Sequence, residues 1–537
     1  MLRWFSTVLL VVGCASAQST ADPLTEGIAL LQKGDVQHSL PLLRRAVESN
    51  PKSAPAHNYF GFALGRSGSV DQAIQEFRKS IQMDPRYPDA FYNLGTALMI
   101  ENQQVAAIQN LQTAVALRPD FPEAQFELGN ALAEQGQFRD AIDSIQKAIR
   151  LRPDLSAAHT QLGLLYARIG DLQGAVDELR RVVTLQPGSA EAHNNLGVAL
   201  DQAGDLTGAI EEFRRTVACD AKFVPGILNL AQALRDKGDL PAAIDNYKKA
   251  LKLEPESASA HADLGFTLKR DDRLKEALPE LETAIQLAPE VGRSQFYYAE
   301  ALTQSGDSAG ALAHYEHAVR LSPRDVAFRL GYGVALSQTS LQEGISQLEE
   351  ASRLDPNRPD VLNALGAALR KAGEKDRSAD AFRRAREASA VLSRRSEADL
   401  ATNRAIDLLK KGQVEPAIEA LRSALNAKPD SADANHYMGI AQSAQGHWAE
   451  ANQAFNAAVL ASPSNPEILF NYGVALEKQN NWSGAALQFE RAAYLRPGQP
   501  QAACMLADSL ARAGDSERAK AALQRARELG PCNISSH

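Results

Sequence analysis

The chain has 537 residues, of which 45% are hydrophobic and 23% are charged, and its formal net charge is -8. This mildly acidic balance disfavours a dedicated nucleic-acid-binding protein, because such a protein shows a basic footprint. Four cysteines, none of them in a CxxC pair, support neither a zinc or redox site nor a disulfide framework.

The first 17 residues have the features of an export signal. Arg3 gives a positive start, residues 4–13 form an apolar run, and Ala15-Ser16-Ala17 is a small-x-small cleavage motif. The apolar run is too short to cross a hydrocarbon core of about 30 Å as a helix. We therefore predict a signal peptide over residues 1–17 and export to the bacterial periplasm or the exterior.

A second interpretation of the same segment stays open. Residues 11–14, Val-Val-Gly-Cys, resemble a bacterial lipobox, in which Cys14 becomes the lipid-bearing N-terminus of a membrane-anchored lipoprotein. One acyl chain anchors a protein weakly, whereas several anchor it well. No other stretch is long and apolar enough to span a membrane, so the two interpretations differ in whether the protein is tethered.

Prolines mark an internal repeat along the rest of the chain. Their spacing is 34 residues, except that Ala221 takes the place of one proline and one interval is 33 residues. The first series contains Pro51, Pro85, Pro119, Pro153, Pro187, Ala221, Pro255, Pro289, Pro323 and Pro356, and the second contains Pro429, Pro463, Pro497 and Pro531. A fixed period between 20 and 50 residues is typical of stacked-repeat proteins.

Three other columns keep the same period. A Leu-Gly pair, as at Leu94-Gly95, is followed seven residues later by glycine, asparagine or aspartate, the residues that tolerate the left-handed backbone of a helix C-terminus. An alanine column, as at Ala107, precedes a bulky apolar residue by four. Each unit is therefore predicted to be helix, tight turn, helix, and then a proline that ends the second helix.

This pattern resembles the tetratricopeptide repeat, with about fifteen consecutive matches over residues 20–533. The resemblance implies an all-α fold, a right-handed α-solenoid of tandem helix-turn-helix repeats whose first helices line a concave, protein-binding groove. The sequence departs from the family where an aromatic residue is usual early in the first helix, because histidine stands at His57, His159, His193 and His261. We expect these histidines to pack between helices rather than to bind a ligand.

The register of the repeat slips twice. One unit is a residue short near Ser337–Leu341, and a larger break follows Ala390, which replaces the proline. Residues 391–397 contain no glycine or proline, so we expect a helix through them. The predicted division is a solenoid of about eleven repeats over 20–392, a helical junction over 393–397, and about four repeats over 398–533.

Two columns of the first helices are candidates for partner binding. The place before the Leu-Gly pair is rich in amides, which can donate to and accept from a peptide backbone, and it resembles the asparagine ladder of O-linked N-acetylglucosamine transferases at Asn93, Asn195, Asn229, Asn403 and Asn471. The place six after the leucine carries cations that favour acidic partners, at Arg66, Arg168, Arg270, Lys410 and Lys478. For both columns the alternative is an ordinary solvated face.

The search for reactive chemistry returns little. There is no phosphate-binding glycine loop, no HExxH and no GxSxG, so we expect no catalytic residue and no cofactor. His314 and His317 are three apart and could reach one ion, with two surface histidines as the alternative. Cys504 and Cys532 fall at the same end of the last helical hairpin, so a disulfide is an option beside two free thiols.

These observations predict an exported, non-catalytic scaffold that holds a peptide or protein in its groove, for example in an envelope assembly or secretion complex. The alternative is an accessory or substrate-recruiting subunit of a separately encoded enzyme such as a glycosyltransferase. Neither hypothesis calls for nucleic acid, a metal or a membrane-spanning segment.

Overall fold

The structure is a computed structural model that describes residues 22–496, 500–529 and 532, so the predicted signal peptide and Cys14 lie outside the described residues. Within the described ranges the chain forms 29 α-helices and no strand. They fall into two compact units, which divide between Gln186 and Pro187.

Unit 1 contains five helical hairpins. Its helices are α1 (Pro23–Gln32), α2 (Val36–Ser49), α3 (Ala54–Arg66), α4 (Val70–Met83), α5 (Pro88–Ile100), α6 (Gln104–Leu117), α7 (Pro122–Glu134), α8 (Phe138–Leu151), α9 (Ser156–Arg168) and α10 (Leu172–Leu185).

Unit 2 continues the same alternation of first and second helices. Its helices are α11 (Ala190–Gln202), α12 (Leu206–Cys219), α13 (Val224–Lys237), α14 (Leu240–Leu253), α15 (Ala258–Arg270), α16 (Leu274–Leu287), α17 (Gly292–Ser305), α18 (Ser308–Leu321), α19 (Val326–Thr339), α20 (Leu341–Leu354), α21 (Pro359–Lys371), α22 (Lys375–Lys410), α23 (Val414–Ala427), α24 (Ala432–Ala444), α25 (Trp448–Ala461), α26 (Pro466–Lys478), α27 (Trp482–Leu495), α28 (Pro500–Arg512) and α29 (Ser516–Leu529).

The break in the repeat lies inside α22, a single helix of 36 residues. It serves as the second helix of one repeat and as the first helix of the next, because α22 contacts both α21 and α23. The predicted junction, residues 393–397, is therefore an interior stretch of this helix, and the division between the two compact units is elsewhere.

The tight turn between the two helices of a repeat contains a left-handed residue in every described hairpin except α19–α20, where Ser340, with φ −132°, alone joins the two helices. Glycine supplies it in most repeats, and where glycine is missing the residues with positive φ are Asn102 (56°), Asp272 (60°) and Asn480 (58°). Asparagine and aspartate tolerate this conformation better than other non-glycine residues, so the turn is retained in these repeats.

The glycine of the Leu-Gly pair allows the two helices of a hairpin to pack closely. A Cβ atom placed on Gly61 would lie 2.8 Å from the ring of Phe77, and one on Gly129 would lie 2.4 Å from Ile145. Phe77 and Ile145 are fully buried. The recurring glycine thus makes room for the bulky apolar residue of the second helix, and this contact builds the core of each repeat.

The histidines early in the first helices connect three parts of a repeat. His57 Nδ1 lies 2.6 Å from Glu76 Oε2 on the second helix, and its Nε2 lies 2.9 Å from the carbonyl oxygen of Pro51 in the preceding turn. Both partners are hydrogen-bond acceptors, so the ring links the first helix to the second helix and to the preceding turn. The same two contacts recur for His159 with Glu178 and Pro153, His193 with Glu212 and Pro187, and His261 with Glu280 and Pro255.

Among the helices that the structure describes, none combines the length and the apolar character that a membrane crossing requires.

Candidate functional site

Successive first helices form a continuous surface within each unit. In unit 1, α3 contacts α5, α5 contacts α7 and α7 contacts α9, and in unit 2 the same relation holds for pairs such as α15 with α17. We call the exposed side of these helices the first-helix face. It carries the two predicted columns, the residue before the leucine and the residue six after it.

Part of the predicted amide column is used inside the protein. Asn93 is only 8% exposed, and its Nδ2 donates to Asn58 Oδ1 on the preceding first helix at 2.9 Å. In unit 2, Asn229 donates to Asn194 Oδ1 in the same way, also at 2.9 Å. These amides connect neighbouring repeats, so one N–H donor of each is used inside the protein.

The other predicted amides have different surroundings. Asn471 Nδ2 lies 2.9 Å from Nε2 of His436. Burial lowers the pKa of His436 to about 4, so its ring is neutral at pH 7 and Nε2 can accept this hydrogen bond. Asn195 is half-buried, and Asn403 is exposed on α22.

The predicted cations lie on first helices of both units, and their surroundings differ. Arg66 is half-buried, and the guanidinium of Arg168 lies 4.8 Å from the ring centre of Phe138. In unit 2, Lys410 and Lys478 are exposed and form no ion pair with any residue that the structure describes. Arg270 belongs to a larger cluster.

This cluster, which we call the Phe266 cluster, combines two rings with four cations. The rings of Phe266 and Tyr297 stack with centres 4.3 Å apart, and both side chains are half-buried. Cations surround the stack. Three of them lie near the ring centre of Phe266, at 5.1 Å for Lys269 Nζ, 5.7 Å for Arg235 Cζ and 6.0 Å for Arg270 Cζ. The fourth, Arg293, has its Cζ 5.9 Å from the ring centre of Tyr297.

Carboxylates from neighbouring repeats accept hydrogen bonds from two of these cations, and Asp263 also lies 3.9 Å from the guanidinium of Arg293. Arg235 donates to Asp263 on the next first helix at 3.3 Å, and Lys269 donates to Glu300 on the following one at 2.6 Å. The side chains of Arg235 and Lys269 are each 13% exposed, so both are fixed in place. Arg270 is exposed, its guanidinium lies 6.0 Å from the Phe266 ring centre, and it forms no ion pair with the residues that the structure describes, so its charge remains available to a partner.

Unit 1 has acidic residues on its first-helix face. Asp89 is paired with Arg118, and Glu123 with Arg152 at 2.9 Å. Glu127 has no cation partner in the described structure, and its one hydrogen bond comes from Asn130 Nδ2 at 3.3 Å. Burial raises the pKa of Glu127 to about 7, and the nearby charge of Glu134 acts in the same direction.

The remaining predicted residues have local roles. His314 Nδ1 lies 2.7 Å from Gln295 Oε1 and its ring packs edge-on against Tyr298, while His317 is half-buried. Within the described ranges, no group of three or more histidine, cysteine or acidic residues is arranged to hold a metal ion. Cys504 and Cys532 are joined by a disulfide with Cα atoms 5.7 Å apart, which ties the start of α28 to the segment after α29.

Several functional candidates were not found from the sequence. Phe266, Tyr297, Arg235 and Glu127 gave no signal within a single repeat. The signal lies between repeats, because Arg235 reaches a residue 28 positions later and Asn93 reaches one 35 positions earlier. Aligning each first helix with its successor at these offsets would have identified both contacts.

Comparison with known families agrees with the fold. A profile described as "Tetratricopeptide repeat" matches residues 126–190, 160–222, 267–326, 299–343, 334–391 and 438–502, which is more than half of the chain. A "TPR repeat" profile matches 66–100, 96–136 and 231–272, and a further tetratricopeptide profile matches 500–525. The chain belongs to the tetratricopeptide repeat family, whose members are protein-interaction scaffolds. The predictions of the family and of an α-solenoid are confirmed.

Solved structures give similar but distant matches, and no curated protein matches the chain. One is YrrB, described as a TPR protein with an unusual peptide-binding site, at 21% identity and TM-score 0.32 over 34% of this chain and 95% of YrrB. Another is MamA from Desulfovibrio magneticus RS-1, at 24% identity and TM-score 0.30 over 32% and 96%. The Cut9–Hcn1 assembly of the APC/C matches at 13% identity and TM-score 0.34 over 91% and 96%.

Proposed function

We propose that this protein is an exported, non-catalytic scaffold that binds a protein or peptide partner on its first-helix face, as part of an envelope assembly or secretion complex. The observation that carries the proposal is the Phe266 cluster. Membership of a family of protein-interaction scaffolds supports the binding role, and residues 1–17 are the basis for export.

The Phe266 cluster has the composition of an interaction hot spot, where aromatic residues and arginine are enriched. Its rings are half-buried, and two of its cations are already held by Asp263 and Glu300. A partner therefore meets an ordered surface and loses little side-chain entropy in the protein on binding. The unpaired charges of Arg270, Lys410 and Lys478 favour an acidic segment.

Capture from a cell-envelope extract tests this proposal. The wild-type protein and a Phe266→Ala, Tyr297→Ala double variant are used as bait, and we expect the double variant to recover about tenfold less of the main partner. The control is Tyr494→Ala, which removes an aromatic ring that is 62% exposed on the second helix α27. Equal recovery by the double variant and the control would reject the Phe266 cluster as the binding site.

A second variant tests the charge preference. Arg270→Glu, Lys410→Glu and Lys478→Glu together reverse the three exposed cations, and recovery of an acidic partner should fall while added salt weakens binding to the wild type. If the recovered partner is an enzyme, the chain acts as the accessory or substrate-recruiting subunit of that enzyme.

Export is tested on the mature protein. Mass spectrometry of the N-terminus should find Gln18 as the first residue if the signal is cleaved after Ala17, and a lipid-modified Cys14 if the protein is a lipoprotein. An N-terminus that still contains Arg3 in the extracellular or envelope fraction would contradict both.

A further inference from the structure

We propose that the first-helix face of unit 1 binds an extended peptide segment that carries lysine or arginine, and that Glu127 accepts the cation. The inference rests on the proposed function, because it assigns a class of partner to a part of the same face. The charge of the expected partner segment is opposite to that at the Phe266 cluster, which favours an acidic segment.

The acidic residues of this face are not equivalent. Asp89 and Glu123 each pair with an arginine of their own repeat, Arg118 and Arg152, so their charges are balanced. Glu127 has no such partner among the described residues. A carboxylate that is half-buried without a cation is costly when ionised, and a bound cation would remove this cost.

An unpaired acceptor lies next to Glu127. Asn130 is 7% exposed and its Nδ2 donates to Glu127, while its Oδ1 is buried with no hydrogen-bond partner. Buried polar atoms without a partner are uncommon and need an explanation. Glu127 and Asn130 Oδ1 both require a donor, and lysine and arginine side chains have several N–H donors and no acceptor. One such side chain can therefore serve both groups.

Unit 2 provides the same arrangement with the cation built in. Asp263 stands immediately before Leu264, as Glu127 stands before Leu128, and Asp263 is paired with Arg235 from 28 residues earlier. The residue 28 positions before Glu127 is Met99, which has no charge. The position from which a cation would reach Glu127 is thus filled by an apolar side chain, and the peptide would supply the charge that Arg235 supplies in unit 2.

The surroundings suit a long cationic side chain. Burial raises the pKa of the Tyr92 hydroxyl on α5, and the nearby charge of Glu127 raises it further, while the Tyr92 ring packs against Phe121 with centres 5.0 Å apart. Aromatic rings stabilise both the methylene stem and the charged end of lysine or arginine. A metal ion is disfavoured, since this face contains no cluster of three or more suitable ligands in the described residues.

The test uses the full chain and two labelled peptides, one of alternating lysine and serine and the other of alternating glutamate and serine. Fluorescence anisotropy should show binding of the lysine peptide. Glu127→Gln keeps the shape of the side chain and removes its charge, so we expect affinity for the lysine peptide to fall at least about tenfold. Glu48→Gln is the charge-matched control, because Glu48 is exposed on the second helix α2.

A second pair of variants places the cation inside the protein. Met99→Arg should pair with Glu127 and weaken binding of the lysine peptide to a similar extent, whereas Met99→Leu should leave it unchanged. Circular dichroism checks that each variant is folded. Because Glu127→Gln removes a costly charge, loss of binding by unfolding is not expected for it.

The outcomes separate the two proposals. The inference is overturned if the lysine peptide does not bind, if the glutamate peptide binds unit 1 equally well through Glu127, or if Glu127→Gln binds like the wild type. The proposed function is judged instead by partner recovery with the Phe266 cluster variants, so either proposal can fail while the other stands.

Discussion

The first-helix faces of the two units use the same backbone positions for opposite chemistry. In unit 2, Asp263 is balanced by Arg235, whose guanidinium lies 5.7 Å from the ring centre of Phe266 in the stack with Tyr297. In unit 1, the equivalent Glu127 has Met99 in place of that arginine, and its pKa is raised to about 7 by burial. A single position in the preceding repeat therefore decides whether the acid is an internal contact or a site for a partner's cation.

Among the predicted changes, replacing Arg235 in unit 2 should have the largest effect on stability. Arg235→Met leaves Asp263 with only Arg293, whose guanidinium is 3.9 Å away. Breaking a buried ion pair leaves a charge that is poorly compensated. We therefore expect the free energy of unfolding to fall by about 2–4 kcal/mol, which is less than for a fully buried pair. Urea denaturation measures it, with Arg214→Met, an exposed arginine of α12, as the control. Equal stability of the two variants would contradict a structural role for Arg235.

Replacing Glu127 in unit 1 should have a smaller effect, and it should raise the free energy of unfolding rather than lower it. The pKa of Glu127 is about 7 in the folded protein against an ordinary value of 4.5. The folded state therefore retains a proton that the unfolded state releases, and stability falls as pH rises from about 4.5 to about 7. Glu127→Gln removes this dependence.

We expect Glu127→Gln to be more stable than the wild type by about 1–3 kcal/mol above pH 7, and the difference to disappear as the pH falls toward about 4.5. Thermal denaturation over this range measures it, with Glu48→Gln as the control. A difference that stays constant with pH would show that Glu127 does not titrate as the structure indicates.

The repeat and the turns could be predicted from the sequence because they depend on local chemistry. Asn102, Asp272 and Asn480 stand in the glycine column of the repeat, and they adopt the left-handed backbone because asparagine and aspartate tolerate it. The availability of a side chain could not be predicted in this way. Asn93 belongs to the predicted amide column, and the sequence of its own repeat does not show that its Nδ2 donates to Asn58 in the preceding repeat.

The same limit applies to charge. Within its own repeat, Glu127 is only a carboxylate in the amide-rich column before the leucine, and Arg235 lies outside the cation column that contains Arg270. Whether an acid on this face is paired depends on a residue 28 positions earlier, across a complete second helix. Pairing between repeats, rather than the pattern within a repeat, therefore distinguishes the surfaces of the two units.

The smallest predicted effect on stability concerns the contact between a histidine and a glutamate inside one repeat, which occurs in each of the two units. Burial would lower the pKa of His159, but hydrogen bonds to Glu178 and to the carbonyl oxygen of Pro153 raise it above its ordinary value. The imidazolium therefore contributes stability that is fully present below pH about 6.5 and is lost as the pH rises through the raised pKa. His193 makes the same contacts in unit 2.

His159→Gln tests this contact. Glutamine can still donate to the carbonyl, as Gln295 does to Pro289 at 3.1 Å, but it cannot provide a charge opposite Glu178. We expect the free energy of unfolding to fall by about 1 kcal/mol at pH 6 and by less at pH 8, as measured by thermal denaturation. His317, half-buried on α18 and without a hydrogen bond or ion pair among the residues that the structure describes, provides the control as His317→Gln. A loss that grows as the pH rises would mean that the ring is neutral and that the proton of this contact belongs to the glutamate.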